Sequence, residues 1–230
     1  MGFAAFVLNS FGGRGFGYCM PDRRINLGSR IIDAYRALKF LTAHPRIDPS
    51  RVALMGFSQG GAVTLLARHP RFRRLWMSRD KEFAAYLAFY PQSCTMRLLD
   101  EDEVSSRPFR IFHGTADDWT PIDPCREYVQ RMRQAGKDAF LYEYPDAHHG
   151  FANPSFPSVT FLSTLLSASR NCLFVEQADG HFAILHRDTG KLASAEASCV
   201  SRGVTIGHDP RAHRQAIQDV KGFLEATFRR

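Results

Sequence analysis

Short apolar runs separated by stretches of helical periodicity set the rhythm of this chain. Residues 3–8 and Arg51–Met55 read as strands of the buried kind, close to unbroken in apolar character. Between them, Ile31, Ala34, Tyr35, Leu38 and Leu41 recur at helical spacing, predicting a helix from about Asn26 to Thr42 that His44-Pro45 stops. A second helix is expected over Gly60–Arg68, again closed by a His-Pro pair. Further on, the pattern predicts strands at 84–89, 109–113 and 138–144, and a helix at 123–135 with Pro121 and Pro124 near its start. A last helix, about 210–228, has Pro210 in its first turn and Ile217, Val220, Leu224 and Phe228 as its expected apolar face. Strand and helix in alternation imply an α/β fold: a mainly parallel sheet with helices on both faces.

The segment from about 153 to 207 leaves that rhythm. Ser/Pro turns come first, then apolar runs at Cys172–Glu176 and Phe182–Leu185 on either side of Ala178-Asp179-Gly180. An Asp-Gly turn between apolar runs signals a hairpin. The segment reads as an insertion before the last helix of one domain spanning 1–230, with no internal repeat.

Composition narrows the class. With 44% hydrophobic residues in 230, the chain can bury a sizeable core, so wholesale disorder is excluded. No run approaches the ~18 apolar residues of a membrane-spanning helix, so no membrane partner is expected. The opening residues lack a basic n-region and a cleavage site, and read as a strand rather than a signal peptide.

Thirty basic against 23 acidic side chains give +7, and much of the excess sits at Arg68, Arg71, Arg73, Arg74, Arg79 and Lys81. Without an aromatic array or a zinc-finger or helix-turn-helix spacing, that stretch is expected to be a solvated loop face, with no nucleic-acid partner. Cys19, Cys94, Cys125, Cys172 and Cys199 form no Cys-x-x-Cys pair, which excludes a disulfide-dense scaffold and a spaced zinc site. Pairing of Cys94 with Cys125 and of Cys172 with Cys199 stands beside independent buried thiols. The compartment stays open, the cytoplasm slightly ahead of the periplasm. Adjacent His148 and His149 do not make a metal pair, and no metal is expected.

Chemistry concentrates at the ends of the expected strands. Gly56-Phe57-Ser58-Gln59-Gly60 matches G-x-S-x-G between a strand and a helix, the setting of a nucleophile elbow. Ser58 would stand at the carboxyl edge of the sheet, and the Gln59 N–H, at a helix N-terminus, would face a developing oxyanion. The plain alternative is a glycine-rich turn with an ordinary serine. A serine needs a base and an acid to orient that base, in the chain order Ser, Asp or Glu, His for this fold.

Asp117 follows the strand ending at His113-Gly114, and His149 follows the one ending at Tyr144-Pro145. Asp117 is preferred to Asp118, a loop or cap carboxylate. His149 is preferred to His148, and both His148 and His113 read as structural. Trp119 and Phe151 flank the acid and base, so they either wall an acyl pocket or pack in the core, and Tyr90 is similar. Arg14 either binds a substrate carboxylate or pins its own loop through backbone carbonyls. The glycines at 12–17 lack the spacing of a dinucleotide fingerprint, and no P-loop occurs, so nucleotide binding is discarded.

With those residues in place, the chain resembles the dienelactone hydrolase family of the α/β-hydrolase superfamily. The resemblance lies in Asn9–Gly15, the elbow at 56–60, Phe89-Tyr90-Pro91, His113–Pro121 and Ala147–Phe151, and in the tail at Asn171-Cys172, Cys199-Val200 and Gly207–Pro210. It implies an α/β-hydrolase fold that uses no cofactor. The type enzyme has a cysteine nucleophile where this chain has Ser58, so a serine esterase mechanism is implied rather than action on dienelactone itself. Counting strands back from the elbow makes 3–8 the strand before it. A strand, a helix and the loop supplying the second oxyanion N–H are then expected to be missing, leaving an exposed sheet edge and a poorly stable or self-associating chain. The expected activity is hydrolysis of a small carboxylic ester or lactone through an acyl-enzyme. A non-catalytic hydrolase-fold binding protein, an inactive shortened hydrolase and a peptidase are the alternatives. Oligomeric state is not legible.

Overall fold

The computed structural model describes residues 2–16, 25–77, 81–156, 158–193 and 198–229. Met1, Gly17, Cys19, Arg79 and Asp80 lie outside the described residues. In chain order the elements are α1 (Leu27–Thr42), β1 (Ala53–Phe57), α2 (Gln59–Leu66), α3 (Pro70–Arg74), β2 (Ala85–Phe89), β3 (Met96–Arg97) and β4 (Phe109–Gly114). Then come α4 (Asp123–Gln134), β5 (Ala139–Tyr144), β6 (Thr160–Ser167), β7 (Cys172–Glu176), β8 (Phe182–His186), β9 (Ser201–Ile206) and α5 (Pro210–Phe228).

Aromatic residues, leucines and alanines along the strands build a sheet with an apolar core on each face. Strands β1, β2, β4 and β5 lie side by side in that order, all parallel. Along β2, Tyr86 and Ala88 face one core with α1, α2 and α4, where Tyr35, Leu38, Val63, Phe109 and Met132 pack. Ala85, Leu87 and Phe89 face the other, with Phe112, Tyr144, Phe151 and α5. The predicted α/β class and all the predicted helices are present, with strand β1 two residues later than its apolar run suggested.

Residues 3–8 form no strand, contrary to expectation. An apolar run becomes a strand only where a neighbouring backbone takes its hydrogen bonds. This run is exposed, and its rings rest instead against helix residues, Phe3 on Phe228 and Phe6 on Phe40, with centroids 6.0 and 6.1 Å apart. Strand β1 is the edge of the described sheet, with Met55 and Phe57 exposed. Helix α5 packs its expected Val220 and Leu224 partly buried against the core, but Ala212, Ala216 and Phe223 are the buried residues and Ile217 is exposed. Small alanines let the helix approach the sheet closely enough for Phe223 to enter the core.

The basic stretch is a solvated face only in part: Arg74 and Lys81 are exposed, but Arg68, Arg71 and Arg73 are not. Arg68 is 1% exposed, its guanidinium 3.6 Å over the Phe109 ring and 3.1 Å from the Tyr128 hydroxyl. Arg71 grips Glu176 through two hydrogen bonds of 2.7 and 2.8 Å, and Arg73 holds Glu82 at 2.6 Å. Carboxylates distant in sequence, Glu176 foremost, absorb charge that local sequence leaves unmatched.

Between β5 and α5, the predicted hairpin is β7–β8, with β7 also parallel to β3. An antiparallel pair, β6–β9, was not anticipated, because β6 carries no regular alternation. Among the described residues two disulfides are present: Cys94–Cys125 joins the turn after β2 to α4, and Cys172–Cys199 joins β7 to the turn before β9.

Candidate active site

The turn between β1 and α2 is built around glycine. A Cβ on Gly56 would overlap the Gly60 carbonyl, and one on Gly61 would lie 2.7 Å from the Phe89 carbonyl. Ser58 between them adopts φ 51° and ψ −113°, a left-handed conformation costing ~1–3 kcal/mol for a residue with a side chain. Neighbouring backbone holds it there: the Ser58 N–H donates to Phe89 O at 2.9 Å, and Ser58 O accepts from Ala62 N at 3.0 Å. The strained turn leaves the hydroxyl at the carboxyl edge of the sheet, and Gln59 opens α2 directly behind it.

The loops after β4 and β5 bring Asp117 and His149. Gly114 ends β4 with the Ala147 carbonyl so close that any Cβ would overlap it, so the two loops pack backbone to backbone. His149 Nε2 lies 2.9 Å from Ser58 Oγ, and its Nδ1 lies 2.8 Å from Asp117 Oδ2. A carboxylate only accepts, so Nδ1 carries the proton and Nε2 presents its lone pair to the serine hydroxyl.

Asp117 is almost fully buried and saturated with donors. Oδ1 accepts from Trp119 N at 3.0 Å and Thr120 N at 2.8 Å, and Oδ2 accepts from Thr120 Oγ1 at 2.9 Å. Burial opposes its charge, but the pull of His149 and hydrogen bonds from His113 and His149 outweigh that, leaving the carboxyl below its ordinary range. The imidazole itself is flanked by rings, Tyr90 at 4.7 Å and Trp119 at 4.9 Å between centroids.

The structure thus brings together Ser58, Gln59, Asp117, His149, Trp119 and Tyr90. Phe151 is fully buried in the core, in edge contact with Tyr90 at 5.5 Å, so it packs beneath the site rather than walling a pocket. Tyr90 is likewise buried, and desolvation, helped by Asp117, pushes its hydroxyl upward. Arg14 is not free to meet a substrate carboxylate: it pairs with both oxygens of Asp33 at 2.6 and 2.8 Å and donates to Ser10 O at 2.6 Å. That is the loop-pinning alternative. Gln59 Oε1 accepts from Arg30 Nη1 at 3.0 Å, tying the elbow to α1.

Several contributors carry no motif of their own. Thr120 supplies two of the donors to Asp117, a role its position three residues on makes legible as a local turn. Asp118, set aside as a loop carboxylate, holds Thr205 on β9, and Ser167 Oγ donates to Trp119 O at 2.6 Å. Nothing in the sequence pairs residues so far apart. Among the described residues, no group of His, Cys, Asp and Glu could hold a metal ion, and no helix is long and apolar enough to cross a membrane.

Comparison with known proteins gives the site a context. Residues 23–164 match the model of the dienelactone hydrolase family. The chain is 28% identical over 162 residues to the probable carboxylic ester hydrolase LipM of Mycobacterium tuberculosis, covering 53% of this chain and 38% of that one. It is 25% identical over 134 residues to a probable 2-oxo-3-(5-oxofuran-2-ylidene)propanoate lactonase of Bradyrhizobium, covering 57% and 50%. The uncharacterized peptidase YuxL of Bacillus subtilis is 24% identical over 183 residues, covering 68% and 28%. The chain therefore spans half or less of the length of these relatives. Among solved structures, the propionate-bound esterase Est2 of Thermogutta terrifontis has a TM-score of 0.44 at 22% identity, covering 57% of this chain and 59% of that one.

Proposed function

The chain belongs to the dienelactone hydrolase family, and from that premise we propose that it is a serine hydrolase acting on a small carboxylic ester or lactone through an acyl-enzyme. The observation that carries this is the unbroken relay from Ser58 Oγ through His149 to Asp117, with contacts of 2.9 and 2.8 Å. Ester and lactone cleavage are also the activities named for LipM and the Bradyrhizobium relative.

The chemistry follows from the geometry. Ser58 Oγ attacks the carbonyl carbon as His149 Nε2 takes its proton. Asp117 holds the imidazole in the Nδ1–H tautomer and stabilises the imidazolium. The Gln59 N–H, at the positive end of α2, supports the tetrahedral oxyanion. His149 then protonates the leaving alkoxide, which departs as the alcohol; in a lactone it stays attached as a tethered hydroxyl. In the second half His149 takes a proton from water, the hydroxide oxygen adds to the acyl carbon, and collapse returns the proton to Ser58 and frees the acid. Nucleophile, base and acid all come from the chain, so no cofactor is needed.

The test is p-nitrophenol release from short-chain esters by the chain and by Ser58→Ala, alongside labelling by a fluorophosphonate. Release and labelling that both vanish in the variant support the mechanism. A folded chain that neither labels nor releases product overturns it in favour of a binding protein. Cleavage of peptidyl anilides in preference to esters would favour the peptidase reading instead.

A further inference from the structure

We propose that His113 is a positioning residue for the acid, its Nε2–H drawing charge from Asp117 Oδ2 and so setting the basicity of His149. This rests on the serine-hydrolase reading of the site. His113 lies near the end of β4 and is fully buried. Its Nε2 is 2.7 Å from the Thr120 carbonyl and 3.3 Å from Asp117 Oδ2. Both neighbours are acceptors, so Nε2 carries the proton, bonded to the Thr120 carbonyl with Asp117 Oδ2 beside it.

The far ring nitrogen supports a specific role. His113 Nδ1 is buried with no hydrogen-bond partner among the described residues. A buried polar atom left unpaired costs free energy that a leucine of similar size would avoid. The imidazole fits a position selected for what Nε2 does, and Nε2 faces the acid.

The consequence for His149 has a definite sign. Asp117 Oδ2 takes hydrogen bonds from His149 Nδ1 and Thr120 Oγ1, and the His113 Nε2–H stands 3.3 Å from it as a further positive pole. Each extra donor stabilises the carboxylate and lessens the charge it offers the imidazolium. Removing one therefore strengthens the Asp117–His149 attraction and makes His149 more basic. The other groups facing His113 bear on this little. Glu143, its partner in register on β5, is bound by Arg126 of α4 at 3.0 Å, and Tyr90 is an uncharged phenol, its ionisation opposed by burial.

The experiment is an NMR titration of the His149 ring in the intact chain, run beside the pH profile of kcat/KM. Variants are His113→Leu and His113→Gln, each checked for cooperative melting. His113→Leu is expected to raise the His149 midpoint and the acid limb together, by about half a pH unit. His113→Gln, whose Nε2 reaches the same place, is expected to restore the wild-type value. A merely structural role would lower stability or kcat without moving the midpoint.

An unchanged midpoint in a folded His113→Leu, or an equal rise in His113→Gln, overturns the proposal. Should His113→Leu not fold, the nitrogen-15 spectrum of the wild-type rings decides, since a proton on His113 Nδ1 instead of Nε2 also overturns it. A shifted midpoint in a chain that hydrolyses no ester would keep this inference and sink the hydrolase reading. Ser58-dependent hydrolysis with an unmoved midpoint would do the reverse.

Discussion

Asp118 holds Thr205 with both carboxylate oxygens, Oδ1 accepting the backbone N–H at 2.7 Å and Oδ2 the hydroxyl at 2.9 Å. Asp118 thus bolts the loop that carries Asp117 to β9. The same strand makes a β-bridge from Ile206 to His149, and Gly207 N donates to His149 O at 3.1 Å. Asp117 and His149 are therefore referenced to one antiparallel pair outside the main sheet. Asp118→Ala is expected to cost about 1–3 kcal/mol in urea unfolding and to lower kcat more than it raises KM. A variant as stable and active as the wild type would show that the β6–β9 pair is a bystander.

The two adjacent aspartates should separate cleanly by kinetics. Asp117→Asn keeps the shape but favours the wrong imidazole tautomer, and a loss of about 10,000-fold in kcat is expected from that exchange in a triad. Asp118→Asn leaves the relay intact and should fall far less. Steady-state rates on one ester settle the order, and a larger loss at Asp118 would reassign the acid.

Acid should destabilise the protein in two stages. His69 is buried, and desolvation, aided by Arg71 and Arg68, pushes it down to about 4 despite Asp100. The unfolded chain binds that proton from about pH 6.5 downward, while the folded one resists until about 4. Stability present above that window is lost as pH falls through it. Asp117 has the depressed carboxyl, so its contribution is present above the unfolded value of about 3.9 and disappears as pH falls further. Urea midpoints measured against pH should decline from mildly acid conditions onward, and His69→Gln should flatten the first stage alone.

Gly114→Ala should be among the most damaging single changes. The added Cβ would overlap the Ala147 carbonyl, which is backbone and cannot swing away. The loop that positions His149 must then move, so kcat is expected to drop with stability, whereas Gly136→Ala, with open space around it but φ 71°, should cost stability alone. Parallel melting and ester assays on the two variants test this, and an active, stable Gly114→Ala would contradict the packing described.

Both disulfides should matter for stability, and Cys172–Cys199 for the site as well. It closes 27 residues around the hairpin and ties β7 to the approach of β9. Replacing both cysteines with serine is expected to cost about 2–4 kcal/mol, read from denaturant unfolding. No change on full reduction would show that the bridge adds nothing to the folded state.

The α/β class, the helices and the likeness to the dienelactone hydrolases were legible in the sequence because each rests on local information. Periodicity along α1 named its buried face, Ile31, Ala34, Tyr35 and Leu38. Glycine spacing named the elbow, and the strand-end order named Asp117 and His149. What tertiary structure alone decided involves partners far apart in the chain. Residues 3–8 are as apolar as a strand, yet among the described residues no backbone pairs with them. Arg68 belongs by composition to a charged surface, but Phe109 and Tyr128 give it a buried seat. Arg14 could serve a ligand until Asp33 is seen to occupy it. The bond from Asp118 to Thr205 crosses 87 residues, and no periodicity or motif encodes such a pairing. Hydrophobic spacing dictates which face of an element turns inward; which charge meets which is fixed only once the elements have packed.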